Sequence, residues 1–221
     1  MEALRLADHG TEKLSDQQVV ASVLGGQKGL YEILVRRHNR TLYRAVRSYL
    51  REPADVQDAM QDTYLKAYEK LGQFRSDAAF ATWLVRIGIN EALQRLKRGR
   101  TKLLHVAPDT DDEHLTRLPD TDQMDPEQRA IQQEHNGIIE RAIDRLPETY
   151  RVVYMLREVE GMGVTDVAAA LSISESNVKV RLHRAKALLK EAVWELHAGA
   201  PAFEFGNSHC DRMVALVMAR I

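Results

Sequence analysis

Apolar residues recur along this chain at three- and four-residue steps, and neither half holds an alternating stretch long enough for a sheet. Val56, Met60, Tyr64, Ala67 and Leu71 mark one amphipathic helix, and Pro53 suits its first turn. The opposite face carries Asp58, Asp62 and Glu69 around Leu65. An aliphatic residue ringed by carboxylates fits either a solvated face with one stray leucine or a docking surface for a basic partner. A second helix is expected after FRSD, with Ser76 or Asp77 as N-cap, running to about Arg98. Phe80, Trp83, Leu84 and Ile87 form one stripe on it, and Val85, Ile89, Ala92 and Leu96 form another on nearly the opposite side. That helix should be covered on two faces and be central to its domain.

From Gly137 the pattern predicts helix, helix, short helix, turn, helix. Ile138, Ile139, Ala142, Ile143 and Leu146 mark the first, and Pro147 starts the second, Glu148 to about Val159. Gly161 and Gly163 punctuate the chain before a two-turn apolar helix, Val164 to Leu171. Ser172 and Ile173 make a tight connection, and Ser174 caps a longer helix whose Val178, Leu182, Ala185 and Leu189 face a core. This is helix-turn-helix geometry. Its last helix leaves Ser176, Asn177, Val180 and Arg184 outward, flanked by Lys179 and Arg181, as a major-groove helix requires: Arg, Asn and Ser read base edges while Lys neutralises phosphate. A surface helix rich in solubilising cations is the simpler alternative.

Charge changes the picture. The 221 residues sum to −1, yet residues 20–107 hold 16 Lys/Arg against 8 Asp/Glu, and residues 108–136 hold 2 against 9. The acidic stretch Ala107 to Gln128 contains three prolines and no sustained apolar period, so it reads as a flexible linker. The fold class expected is all-α: two small helical domains, 16–106 and 129–197, joined by an acidic linker over 107–128, plus a short C-terminal amphipathic helix within 200–221. Two basic sites stand out. Arg95, Lys97, Arg98, Arg100 and Lys102 crowd the end of the second helix, and beside the rings of Phe74 and Trp83 they resemble a single-strand-binding surface. Five more cations and no acid lie between Ser176 and Lys190, Lys186 among them.

Enzyme chemistry finds no footing. There is no HExxH and no Walker lysine, GGQKG has the wrong spacing for a phosphate loop, and the eight histidines lack ligand spacing. His183 suits a phosphate neighbour. A single cysteine, Cys210, forbids an internal disulfide and a multi-thiolate metal site within one chain. No cofactor or metal is expected. The longest apolar run, Met213 to Ala219, is far too short to span a bilayer, and the N-terminal residues show no signal-peptide core, so a cytoplasmic protein is expected.

Taken in order, these residues resemble the extracytoplasmic-function (ECF) group of bacterial sigma factors over roughly Asp16 to Leu196, apart from the acidic linker. DVQDAMQDTYLKAYEKLGQF looks like the group's core-polymerase contact segment, FRSDAAFATWLVRIGINEALQRLKR like its promoter-opening and minus-ten segment, and LPETYRVVYMLREVEGMGVTDVAAALSISESNVKVRLHRAKALL like its minus-thirty-five reader. The resemblance implies polymerase contacts at Asp55, Asp58, Gln61, Asp62, Leu65, Lys66 and Glu69. It implies minus-ten contacts at Phe74, Arg75, Trp83, Arg86, Asn90, Arg95, Lys97 and Arg98, with Phe74 and Asn90 helping to melt the element and hold a flipped base. Minus-thirty-five contacts fall to Ser174, Ser176, Asn177, Lys179, Val180, Arg181, Arg184 and Lys186. The implied partners are RNA polymerase core, at the clamp region of its largest subunit and at its flap, promoter DNA and an anti-sigma factor. Two departures stand out: Ser172 replaces the group's usual glycine, costing about 1 kcal/mol if left-handed, and Gly163-Val164 replaces its common Ser-Tyr. The alternatives are a stand-alone helix-turn-helix regulator with an N-terminal sensing half, and an adaptor that uses the acidic linker and leaves both basic sites unexplained.

The tail is the least expected feature. Ser208 and Asp211 fit a capping box, and Cys210, Met213, Val214, Val217, Met218 and Ile221 share one helical stripe. So short a helix is marginal alone in water, so its apolar face should need cover. That cover would be the chain's own C-terminal domain, a regulatory docking between the domains, or an inhibitor.

Overall fold

The computed structural model describes residues 14–75, 78–103, 137–197 and Met218, with the backbone alone for 99–103 and 197. Every regular element among them is helical. The first, α1 (Asp16–Leu24), opens with a capping box: the Gln18 amide donates to Ser15 Oγ at 3.3 Å, and the Ser15 amide donates to Gln18 Oε1 at 2.8 Å. A 3-10 turn at Lys28–Leu30 leads into α2 (Tyr31–Arg47), whose Leu34, His38, Leu42, Ala45 and Val46 are buried at helical spacing. Pro53 occupies the first turn of α3 (Pro53–Glu69), where a missing amide proton costs nothing. A second 3-10 turn, Leu71–Gln73, then turns the chain toward α4 (Phe80–Leu103).

Helices α1 to α4 enclose one core, with Leu34, Leu42, Val56, Leu71, Phe80 and Leu84 among its buried residues. Gly88 sits mid-helix in α4 because α2 approaches there: a Cβ at this position would lie 2.5 Å from the Leu42 side chain. The expected N-caps, Ser76 and Asp77, lie outside the described residues. Among the described residues α4 continues to Leu103, past the expected Arg98.

The C-terminal half begins with α5 (residues 137–145). Ala142 within it and Leu146 just after it are buried, whereas Ile139 is 46% exposed despite its place in the apolar pattern. Next comes α6 (Glu148–Tyr154), which follows Pro147 and is prolonged by a π-helical turn, Met155–Val159. The helix-turn-helix consists of α7 (Val164–Leu171) and α8 (Glu175–His197). Ser172 between them is left-handed, with φ 55° and ψ 45°, so the steric cost of about 1 kcal/mol applies. Ser174 Oγ accepts from the Asn177 amide at 3.2 Å, which is the expected cap.

The second apolar stripe of α4 is covered from two sides: Ala92 and Leu96 join the core of its own half, whereas Val85 and Ile89 are covered from the other half. Val85 and Ile89 pack with Ala45 of α2 into a cluster that includes Val152, Val153, Leu156, Val167 and Val178. Periodicity shows that a face is buried; it does not say which element buries it. Polar contacts line the same seam. Thr41 donates to Glu160 at 2.6 Å and Arg44 meets Glu160 at 2.5 Å, while Arg47 meets Asp144 at 2.8 Å. Thr82 donates to Asp166 at 3.1 Å. Arg151, 3% exposed, donates to the carbonyls of Ser48, Asp144, Leu146 and Ile143, so it ties the end of α2 to the end of α5. Desolvation lowers its pKa, and the nearby Asp144 acts in the opposite direction.

Candidate nucleic-acid and polymerase interface

The outer face of α3 carries the polymerase candidates. Leu65 is 57% exposed, and Asp55, Gln61 and Glu69 are exposed near it. The carboxylates are not all open to a partner. Arg95 reaches back from α4 to Asp62 at 2.5 Å and Asp58 at 3.6 Å, and Lys66 meets Glu91 at 2.6 Å. Residues assigned from the sequence to two different partners are thus paired with each other.

On α4, Arg86, Asn90, Lys97 and Arg98 are exposed, and the first three share one face at spacings of four and seven. Arg75 is exposed just before the helix. Phe74 and Trp83 differ from free stacking platforms: their rings lie 5.5 Å apart, both pack on Phe80 (5.4 and 5.6 Å), and both are half-buried. The aromatic residues that follow a turn here close the edge of the core and offer DNA only part of their surface.

In α8, Val178 and Ala185 are fully buried, which turns Ser176, Lys179, Val180, His183 and Arg184 to solvent. Val180 is 49% exposed amid polar neighbours. Ser174 and Ser176 hydroxyls are 3.0 Å apart, and Arg181 donates through Nε to Asn177 Oδ1 at 2.9 Å, which pre-orients both groups. Arg184 donates to the Tyr150 hydroxyl at 3.3 Å, and Lys186 pairs with Glu158 at 3.0 Å. Thr165 Oγ1 donates to Glu175 at 2.8 Å and fastens α7 to the start of α8, a contact the sequence pattern did not suggest.

Two family models match the two halves: Sigma-70 region 2 over residues 34–101 and Sigma-70, region 4 over residues 136–189. Among curated relatives, the ECF RNA polymerase sigma factor SigM of Mycobacterium tuberculosis is 33% identical over 190 residues, 86% of this chain and 90% of its own. The chain belongs to the ECF RNA polymerase sigma factors. The ECF RNA polymerase sigma-E factor of Escherichia coli is 31% identical over 84% of this chain and 98% of its own. CnrH, solved in complex with the cytosolic domain of CnrY, is 26% identical, with a TM-score of 0.54 over 82% of this chain and 97% of that one. The sigma factor RpoE of Bartonella quintana, solved with the anti-sigma factor NepR, shares the fold at 22% identity and a TM-score of 0.58, over 74% of this chain and 96% of that one.

As a sigma factor the chain serves RNA polymerase in promoter recognition. The stand-alone regulator is set aside, because the N-terminal half is a region 2 domain. Sequence reasoning missed the seam of Arg44, Arg47, Asp144, Arg151 and Glu160. The one available signal was Arg151, a cation set directly before Val152 and Val153 in a helix that must be buried. The tail lies outside the described residues except Met218, which is helical and 62% exposed.

Proposed function

We propose that this sigma factor docks on RNA polymerase core through the Leu65 face of α3, opens the minus-ten element along α4 and reads the minus-thirty-five element with α8. The observation that carries this reading is Leu65, more than half exposed on a helix whose surrounding groups are carboxylates, back to back with a helix that presents Arg86, Asn90 and Lys97. A basic polymerase surface suits the first face. The sugar-phosphate backbone and unpaired bases suit the second, where Asn90 offers both donor and acceptor to a base edge.

Exposed Lys179 and Arg184 on α8 neutralise phosphate and read base edges, while Val180 supplies an apolar contact for a thymine methyl group. Elements about 25 base pairs apart are roughly 85 Å apart along the duplex at about 3.4 Å per pair. A compact body the size of the two packed halves has a radius of gyration of about 15 Å, so the seam must part for one chain to reach both elements. Residues 104–136 suffice for that, since 33 residues span at most about 110 Å.

The chain acts by binding and performs no chemistry of its own, and its place of work is the cytoplasm. Among the described residues no helix is long and apolar enough to cross a membrane. An anti-sigma factor is a further partner; the supporting fact is that CnrH, similar over most of this chain, was solved with another protein bound.

Leu65→Asp tests the reading. The variant keeps its melting temperature because the side chain is exposed, and it loses affinity for purified core by tenfold or more. Unchanged core affinity would remove α3 from the interface.

A further inference from the structure

Arg95 stands between the α3 face proposed for polymerase and the α4 face proposed for DNA, and the role inferred for it rests on that reading. Its side chain is 25% exposed and is held by Asp62 at 2.5 Å, with Asp58 at 3.6 Å. Both carboxylates stay open on their outer side: Asp62 is 46% and Asp58 is 64% exposed. Arg95 also lines a groove of mixed charge, shared with Arg51, Arg98 and Arg145 and with Glu52, Asp55 and Glu148.

The helix pair does not depend on this contact. Lys66 and Glu91 join α3 to α4 at 2.6 Å, with Glu91 only 9% exposed, and Val56, Ala59, Leu84 and Ala92 bury the space between. A partly exposed ion pair beside such a core adds little net stability. Its effect on binding is larger. While Arg95 is paired, α4 offers phosphate one cation fewer and α3 offers a basic surface two partly neutralised carboxylates.

We propose that Arg95 is a cation shared between the two surfaces. In the free chain Asp58 and Asp62 hold it. A basic polymerase surface that takes those carboxylates releases it to the DNA backbone, beside Arg98. Core docking then raises affinity for DNA without any change of fold, and by reciprocity DNA binding strengthens core docking. The pair works against both partners, so removing one member must help one partner and hinder the other.

The test uses the full chain, purified core polymerase and a forked DNA probe over a salt series. Arg95→Ala is expected to tighten chain–core binding two- to tenfold. In the assembled holoenzyme it should weaken probe binding and lower the magnitude of the salt slope by roughly 0.7 to 0.9, the loss of one phosphate contact. Asp62→Asn is expected to do the reverse, with several-fold tighter probe binding by the chain alone and weaker core binding. Arg95→Gln repeats the first measurement with a side chain closer in size, which keeps the test valid if alanine disturbs folding. Core affinity unchanged or lowered by Arg95→Gln, at wild-type melting temperature, overturns the proposal. Core affinity unchanged in Asp62→Asn removes the α3 assignment instead, and the proposal falls with it.

Discussion

Arg44 and Glu160, 116 residues apart in the chain, meet at 2.5 Å, and the Glu160 side chain is only 5% exposed. Thr41 donates to the same carboxylate. A buried carboxylate with two donors fastens the end of the π-helical turn to α2, above the apolar cluster that both halves share.

Removing that carboxylate leaves two donors facing a space built for an anion. Glu160→Ala should cost about 1–3 kcal/mol in urea unfolding. Fluorescence and circular dichroism transitions that coincide in the wild type should separate in the variant, because the halves lose a shared anchor. A change below about 0.5 kcal/mol would show that the seam does not hold the halves together.

The outward face of α8 gives two distinguishable outcomes. Lys179→Ala should weaken DNA binding nearly uniformly across sequences and reduce the salt slope by about one, as expected for a phosphate contact. Arg184→Ala should cost about 1–3 kcal/mol and relax discrimination at a single base pair of the upstream element. Competition among upstream-element variants, with holoenzyme, reads both; identical behaviour of the two variants would contradict the assignment.

Gly88→Ala sets helix propensity against packing. Alanine gains up to about 1 kcal/mol in a helix interior, but its Cβ would lie 2.5 Å from the buried Leu42 side chain. Overpacking of this kind costs about 1–3 kcal/mol, so net destabilisation and a lower melting temperature are expected. A melting temperature equal to or above wild type would mean that α2 and α4 are not closely apposed there.

Alkaline pH should weaken the fold through its buried phenols. Burial pushes the Tyr49 hydroxyl up to about 12, and Tyr31 and Tyr64 are raised in the same direction by desolvation first and then by a neighbouring phenol, Tyr68 beside Tyr31 and Tyr31 beside Tyr64. The unfolded chain ionises near pH 10. Between about 10 and 12 the folded state therefore binds more protons than the unfolded state, and stability falls as pH rises. Tyr49→Phe should flatten part of that slope in urea titrations from pH 9 to 11.5; an unaltered slope would place Tyr49 in water.

The helix-turn-helix was legible because its signals are local. Ser174 caps α8, Val178 and Ala185 mark the buried side, and even the cost at Ser172 comes from a turn that normally takes glycine. The buried faces of α4 were legible for the same reason, and so was Pro53 at the start of α3. The hidden part depends on pairing across sequence distance. Nothing near Arg95 says that its partners are Asp58 and Asp62, and nothing near Glu160 points to Arg44. Phe74 and Trp83 show the limit of composition: a ring beside cations fits a stacking platform, but Phe80 lies within reach of both and takes much of their surface.

Run-off transcription from a genomic fragment library with purified core polymerase reads promoter recognition itself. The full chain together with core should yield discrete transcripts whose upstream sequences share a two-part element, and neither component alone should do so. Loss of those transcripts in Leu65→Asp and in Arg184→Ala would tie them to α3 and α8. Discrete, tight DNA binding by the chain without core, and no specific transcripts with it, would mean that the chain does not direct polymerase to promoters.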